Sequence, residues 1–104
     1  MKKIFLLSVC LFVSANCLAD VNYIDQAIDA NGNQHYRLSN SLLHKAIASG
    51  ESGQQIILYR ALNYYQMRQY KLARLLFNEA IDQYNLTPKN YKRVQFFLAK
   101  INKI

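Results

Sequence analysis

Tyr36-Arg37-Leu38-Ser39-Asn40-Ser41-Leu42-Leu43-His44-Lys45-Ala46-Ile47 is followed, one period further along the chain, by Tyr70-Lys71-Leu72-Ala73-Arg74-Leu75-Leu76-Phe77-Asn78-Glu79-Ala80-Ile81. Each copy carries a small residue (Ser39, Ala73), a large apolar one four positions on (Leu43, Phe77) and an alanine three beyond that (Ala46, Ala80). Helical geometry puts residues three and four apart on one face, so the pattern describes one helix written twice. A fixed period of about 34 residues is the mark of stacked helix-turn-helix units, each of which buries its apolar face only against its neighbours.

Working outward, the spacing predicts five helices and no strand. The first runs from Val21 to about Ala30, with Ile24, Ala27 and Ile28 on one face, and ends at Asn31-Gly32-Asn33, residues that tolerate the left-handed backbone. A hairpin turning at Asn31-Gly32 is the competing reading of that segment. The second, Tyr36 to Ser49, buries Leu38, Leu42, Leu43, Ala46 and Ile47, and Gly50-Glu51-Ser52-Gly53 breaks the chain after it. The third, about Gln54 to Arg68, and the fourth, about Tyr70 to Tyr84, are apolar over a wide arc and must touch neighbours on two sides. Their stripes are Ile57, Leu58, Ala61, Leu62, Tyr64, Tyr65 and Leu72, Ala73, Leu76, Phe77, Ala80, Ile81. Thr87-Pro88 opens a fifth helix with Tyr91, Val94, Phe97, Leu98 and Ile101 inward, proline standing where its missing N–H is harmless.

The first residues belong to a different kind of segment. Met1-Lys2-Lys3 precedes an apolar run, Ile4 to Val13, and a small-residue stretch ending at Ala19, the make-up of a secretory signal peptide. Cleavage is expected after Ala19, with Ala15 as the other site, and the ten-residue apolar core is short of the roughly 20 residues that a spanning helix needs. Both cysteines, Cys10 and Cys17, fall in this leader, so disulfides, thiol catalysis and Cys-ligated metal are not expected after export. The organisation expected is therefore a signal peptide at 1–19, repeat units at 20–53 and 54–87, and a half unit at 88–104.

Charge is uneven. The net charge is +7, but residues 20–59 carry Arg37 and Lys45 against Asp20, Asp25, Asp29 and Glu51, whereas from Arg60 onward nine Lys and Arg face only Glu79 and Asp82. A basic half suits an acidic partner, and after export that means protein surfaces, anionic lipid or envelope polyanions rather than nucleic acid. Catalytic and metal chemistry find little footing, so the chain is expected to be no enzyme and to take no cofactor. The carboxylates are scattered, and His35 and His44, nine residues apart, lack helical ligand spacing.

These residues resemble the tetratricopeptide repeat family, whose unit is a pair of antiparallel helices about 34 residues long in all. Ile57, Arg60, Ala61 and Tyr64 stand at the family's first-helix Trp, Leu, Gly and Tyr; Tyr70, Ala73, Phe77 and Ala80 stand at its second-helix Tyr, Ala, Phe and Ala. The first copy keeps Ala27, Tyr36, Ser39, Leu43 and Ala46, while neither copy has the closing proline or a glycine just before Tyr36 or Tyr70. The resemblance implies an all-α, right-handed stack of about two helix pairs plus a C-terminal capping helix. It further implies that the first helix of each pair lines a concave groove.

From that implication, the partner-binding residues expected are Leu58, Leu62, Tyr65 and Gln66 of the third helix and Lys89, Lys92, Arg93 and Phe96 of the fifth, an apolar floor beside a lysine rim. Val21, Ile24, Ile28 and Gln55 extend the same face. Lys89 and Arg93 also match the Lys and Arg by which some family members grip a peptide carboxylate, but Ile24, Ile28 and Tyr59 replace the other members of that clamp. The function expected is an exported adaptor, assembly factor or chaperone that holds another protein or peptide, acidic in character, with homo-oligomerisation left open. The alternatives are an immunity or inhibitor protein, and a peripheral binder of anionic lipid or polysaccharide that meets the membrane only at its surface.

Overall fold

A computed structural model describes residues 22–104, and the signal peptide expected at 1–19 lies outside the described residues. The chain forms five helices in order, α1 (Tyr23–Gly32), α2 (Tyr36–Ala48), α3 (Gln54–Gln66), α4 (Tyr70–Gln83) and α5 (Pro88–Asn102), with no strand among the described residues. Residues 23–32 are helical, which excludes the hairpin. Asn22 starts α1 by accepting the Asp25 N–H at 3.1 Å, and the Asp25 carboxylate complements the positive end of the helix.

Helices α1 and α2 pack as one antiparallel pair and α3 and α4 as a second; α3 also meets both α2 and α1, and α5 rests on α4. The repeat extends to individual hydrogen bonds. In the first turn Asn33, Gln34 and His35 donate to the carbonyls of Asp29, Asn31 and Ala30; in the second Met67, Arg68 and Gln69 donate to those of Asn63, Tyr65 and Tyr64. Each bond lies one full repeat from its counterpart, and in both turns the last of the three is 2.8 Å long.

The left-handed residue of these turns is not in the Asn31-Gly32-Asn33 stretch. It is Gln34, at φ 68°, and its repeat partner Arg68, at φ 66°, while Gly32 closes the helix. The register of the chain-reversing bonds, not the residue with the greatest freedom, selects the position. A side chain held left-handed costs roughly 1–2 kcal/mol, and glycine removes that strain while loosening the unfolded chain. Gln34→Gly and Arg68→Gly should therefore each raise stability by about 0.5 kcal/mol, read as a higher thermal midpoint. A fall in midpoint at both sites would show that the two turns are unstrained.

The ends of the two pairs differ. After α2, Gly50 turns left-handed at φ 91° and Glu51 N–H reaches the Ala46 carbonyl at 2.9 Å. After α4 the chain instead runs extended through Tyr84 to Thr87, which caps α5 by accepting the Asn90 N–H at 3.2 Å. Gln54 Oε1 accepts from both Thr87 N–H (3.1 Å) and Asn90 Nδ2 (2.7 Å), fastening the start of α5 to the start of α3.

Two apolar clusters fill the stack. One joins Ala27, Ala30, Leu42, Leu43 and Ala46 to Ile56; the other gathers Ile57, Leu58, Ala61, Ala73, Leu76, Phe77, Ala80, Val94 and Ile101. Neighbouring Ile56 and Ile57 thus belong to different clusters, and α3 is the shared wall that its wide apolar arc anticipates. Ala27, Ser39, Ala46, Ala61, Ala73 and Ala80 are wholly buried at the helix crossings, where only small side chains let backbones approach. Leu38, Ile47, Leu72 and Tyr91, expected inside, are exposed. Leu38 and Leu72 are repeat partners on α2 and α4, on faces that no other described helix covers.

Candidate functional site

The face shared by α1, α3 and α5 brings the expected groove residues together, but its floor is closed. Leu58 and Leu62 are buried. With Phe77, Arg93 and Phe97 they surround a cavity of about 10 Å³, room for at most a single water. The correction has a local cause: α5 lies close enough to α3 for Arg93 and Phe97 to occupy the space in which a ligand would meet the two leucines. Arg93 sits over the Tyr59 ring, 5.9 Å from its centroid, so the cation of the carboxylate-clamp echo rests on the residue that replaces a clamp asparagine.

Tyr65 is half-buried, edge-on to Tyr70 (5.6 Å between centroids) and to Phe97 (5.0 Å). Phe97 in turn stacks on Phe77 at 5.7 Å. Gln66 is exposed and accepts from Asn31 Nδ2 at 2.8 Å. Ile24 and Ile28 are half-buried, Gln55 is exposed, and Val21 lies outside the described residues.

What remains open is the outer face of α5. Phe96 is 55% exposed, edge-on to Phe97 at 5.3 Å, with the Lys100 ammonium 4.9 Å from its ring centroid. Lys89, Lys92, Arg93, Lys100 and Lys103 are exposed along the same helix, which contains no Asp or Glu. Among the described residues, no side-chain hydrogen bond engages a lysine or arginine. A run of like charges without carboxylates is a repulsive arrangement that an anionic partner relieves.

One central residue escaped the sequence reading. Asn63 is wholly buried in α3. Its Nδ2 donates to Ser39 Oγ (2.9 Å) and Asn40 Oδ1 (2.8 Å), its Oδ1 accepts from Asn31 Nδ2 (2.7 Å), and Ser39 Oγ donates to the Ala27 carbonyl (2.7 Å). The signal was an amide between Leu62 and Tyr64 in a helix apolar on both sides. The repeat explains the site: at the equivalent positions one unit later, Asn31 and Asn63 become Tyr65 and Phe97, which also touch. The same junction is thus polar between α1 and α3 and aromatic between α3 and α5.

A second opening was also missed. A cavity of about 250 Å³ lies where the end of α2 meets α3 and α4, walled by Ile47, Ile56 and Ile57 with Arg60 and Glu79 at its edge. No described helix is long and apolar enough to cross a membrane, and no described group of His, Cys, Asp and Glu could hold a metal ion. No protein-family model, curated protein or solved structure matches the chain.

Proposed function

We propose that this chain is a small exported helical-repeat module of tetratricopeptide type that holds another protein, acting as adaptor, assembly factor or chaperone of a cell-envelope complex rather than as an enzyme. The observation that carries this reading is Phe96, a large ring left exposed at the centre of a cationic helix, where an apolar anchor and positive charges meet at one place. With Leu58 and Leu62 sealed, recognition falls to Phe96 and its cations, with Tyr65 and Gln66 at the border. Its test is affinity capture from envelope extracts with the intact protein and with Phe96→Asp. The exposed site tolerates that change without unfolding, whereas an aspartate at buried Leu62 would put a charge into the core. Capture of the same partner by the folded Phe96→Asp protein with undiminished yield would defeat the proposal.

The five exposed cations of α5 and its C-cap also support a second reading, peripheral attachment to anionic lipid or polysaccharide. Such attachment should disappear by a few hundred millimolar salt, where the screening length falls to about 5 Å, while a contact seated on Phe96 persists.

A further inference from the structure

Lys92, Phe96 and Lys100 occupy the repeat positions of Leu58, Leu62 and Gln66. On α3 the two leucines are covered by α5; on α5 all three side chains are exposed. They follow one another at four-residue intervals and so lie along one stripe of the helix, with the two lysines about 12 Å apart along its axis and the ring midway.

An extended chain advances about 3.3 Å per residue and points every second side chain the same way. An acidic residue, a large apolar residue two on and a second acidic residue two beyond that therefore share one face, with the carboxylates about 13 Å apart. We infer that α5 binds an extended acidic segment of a partner protein of the form acid-x-apolar-x-acid, the two carboxylates on Lys92 and Lys100 and the apolar side chain on the Phe96 ring. Lys89 and Lys103 continue the stripe and draw in further carboxylates by longer-range attraction. This rests on the reading of the chain as a protein-binding module.

Shape favours a peptide over a bilayer. A helix that lies in a membrane surface presents a broad apolar face, whereas α5 turns Val94 and Ile101 into the core and half-buries Phe97 and Leu98. Tyr91, the next exposed ring of α5, has its hydroxyl accepting from Gln95 Nε2 at 2.8 Å.

The test is a titration of the full chain at about 0.15 M salt, where charges more than about 8 Å apart are largely screened. One synthetic peptide has the core Glu-Ser-Phe-Ser-Glu; its control has Ser-Glu-Phe-Glu-Ser, with the same charge and composition but both carboxylates on the opposite face to the ring. The first should bind at least tenfold more tightly. In the double variant Lys92→Glu with Lys100→Glu the preference should disappear, and a peptide with the core Lys-Ser-Phe-Ser-Lys should now bind in its place. Equal affinity for the two glutamate peptides overturns the inference. If the envelope partner is still captured in that case, the module reading stands alone. If phosphatidylglycerol vesicles bind, neither glutamate peptide does and no envelope partner is captured, both readings fail.

Discussion

Asn63→Ala is expected to lower stability by about 3 kcal/mol, a large fraction of the roughly 5–15 kcal/mol typical of a small domain. The side chain is wholly buried and makes three hydrogen bonds, which tie α1 and α2 to α3. Truncation removes two donors and an acceptor at once, strips Ser39 and Asn40 of their shared donor, and leaves a void between the helix pairs. Buried polar groups without partners are more costly than the bonds they would make are favourable. Chemical denaturation followed by helical circular dichroism reads the loss directly.

The repeat supplies a companion variant. Asn31→Tyr with Asn63→Phe writes the Tyr65–Phe97 junction into the first position. It should recover more stability than Asn63→Phe alone, because the ring at 63 then meets an apolar surface instead of the Asn31 amide. If the double variant is no more stable than the single one, the two junctions are not interchangeable solutions of one geometry.

The second large effect is expected at Phe77. Its ring is nearly wholly buried, stacks on Phe97 at 5.7 Å and fills the space between Ala61, Ala73 and Ala80. Phe77→Ala should cost about 3–5 kcal/mol, and unevenly. Because Phe77 and the contacts that seat α5 belong to one cluster while α1 and α2 are built around the other, the loss should be greatest at α3–α5. Hydrogen exchange should report amides of 88–102 opening first, with those of α2 least affected. A uniform loss of protection along the chain would mean that the two clusters unfold as one.

Much of this fold was legible because its causes are local or periodic. The repeat offset gives the number of helices, their pairing and the crossing points at Ser39, Ala46, Ala73 and Ala80, since small residues at helical spacing serve close approach wherever they occur. Exposure of Leu38 and Leu72 was hidden for a reason of the same kind. Periodicity assigns a residue to a face of its own helix, but whether another helix covers that face is a property of the stack, and no described helix covers the faces that carry Leu38 and Leu72.

The site was legible only in outline. Phe96 and its lysines stand out in the sequence as an aromatic residue in a basic run, and they remain exposed. Leu58 and Leu62 read identically as groove floor, and the Arg93 and Phe97 side chains of α5 closed over them. Asn63 offered an amide in an apolar stretch, which by itself does not say whether it faces water or three partners.

By itself, the sequence determined an all-α stack of repeated helix pairs and a fifth helix rich in cations, because small-residue spacing, helix breaks and charge count depend on the order of residues alone. Tertiary structure decided which of the matching apolar faces was left uncovered. It closed the α3 face beneath Arg93 and Phe97 and left the α5 face open around Phe96, since burial depends on which helix packs next to which, and that is settled only when distant segments meet.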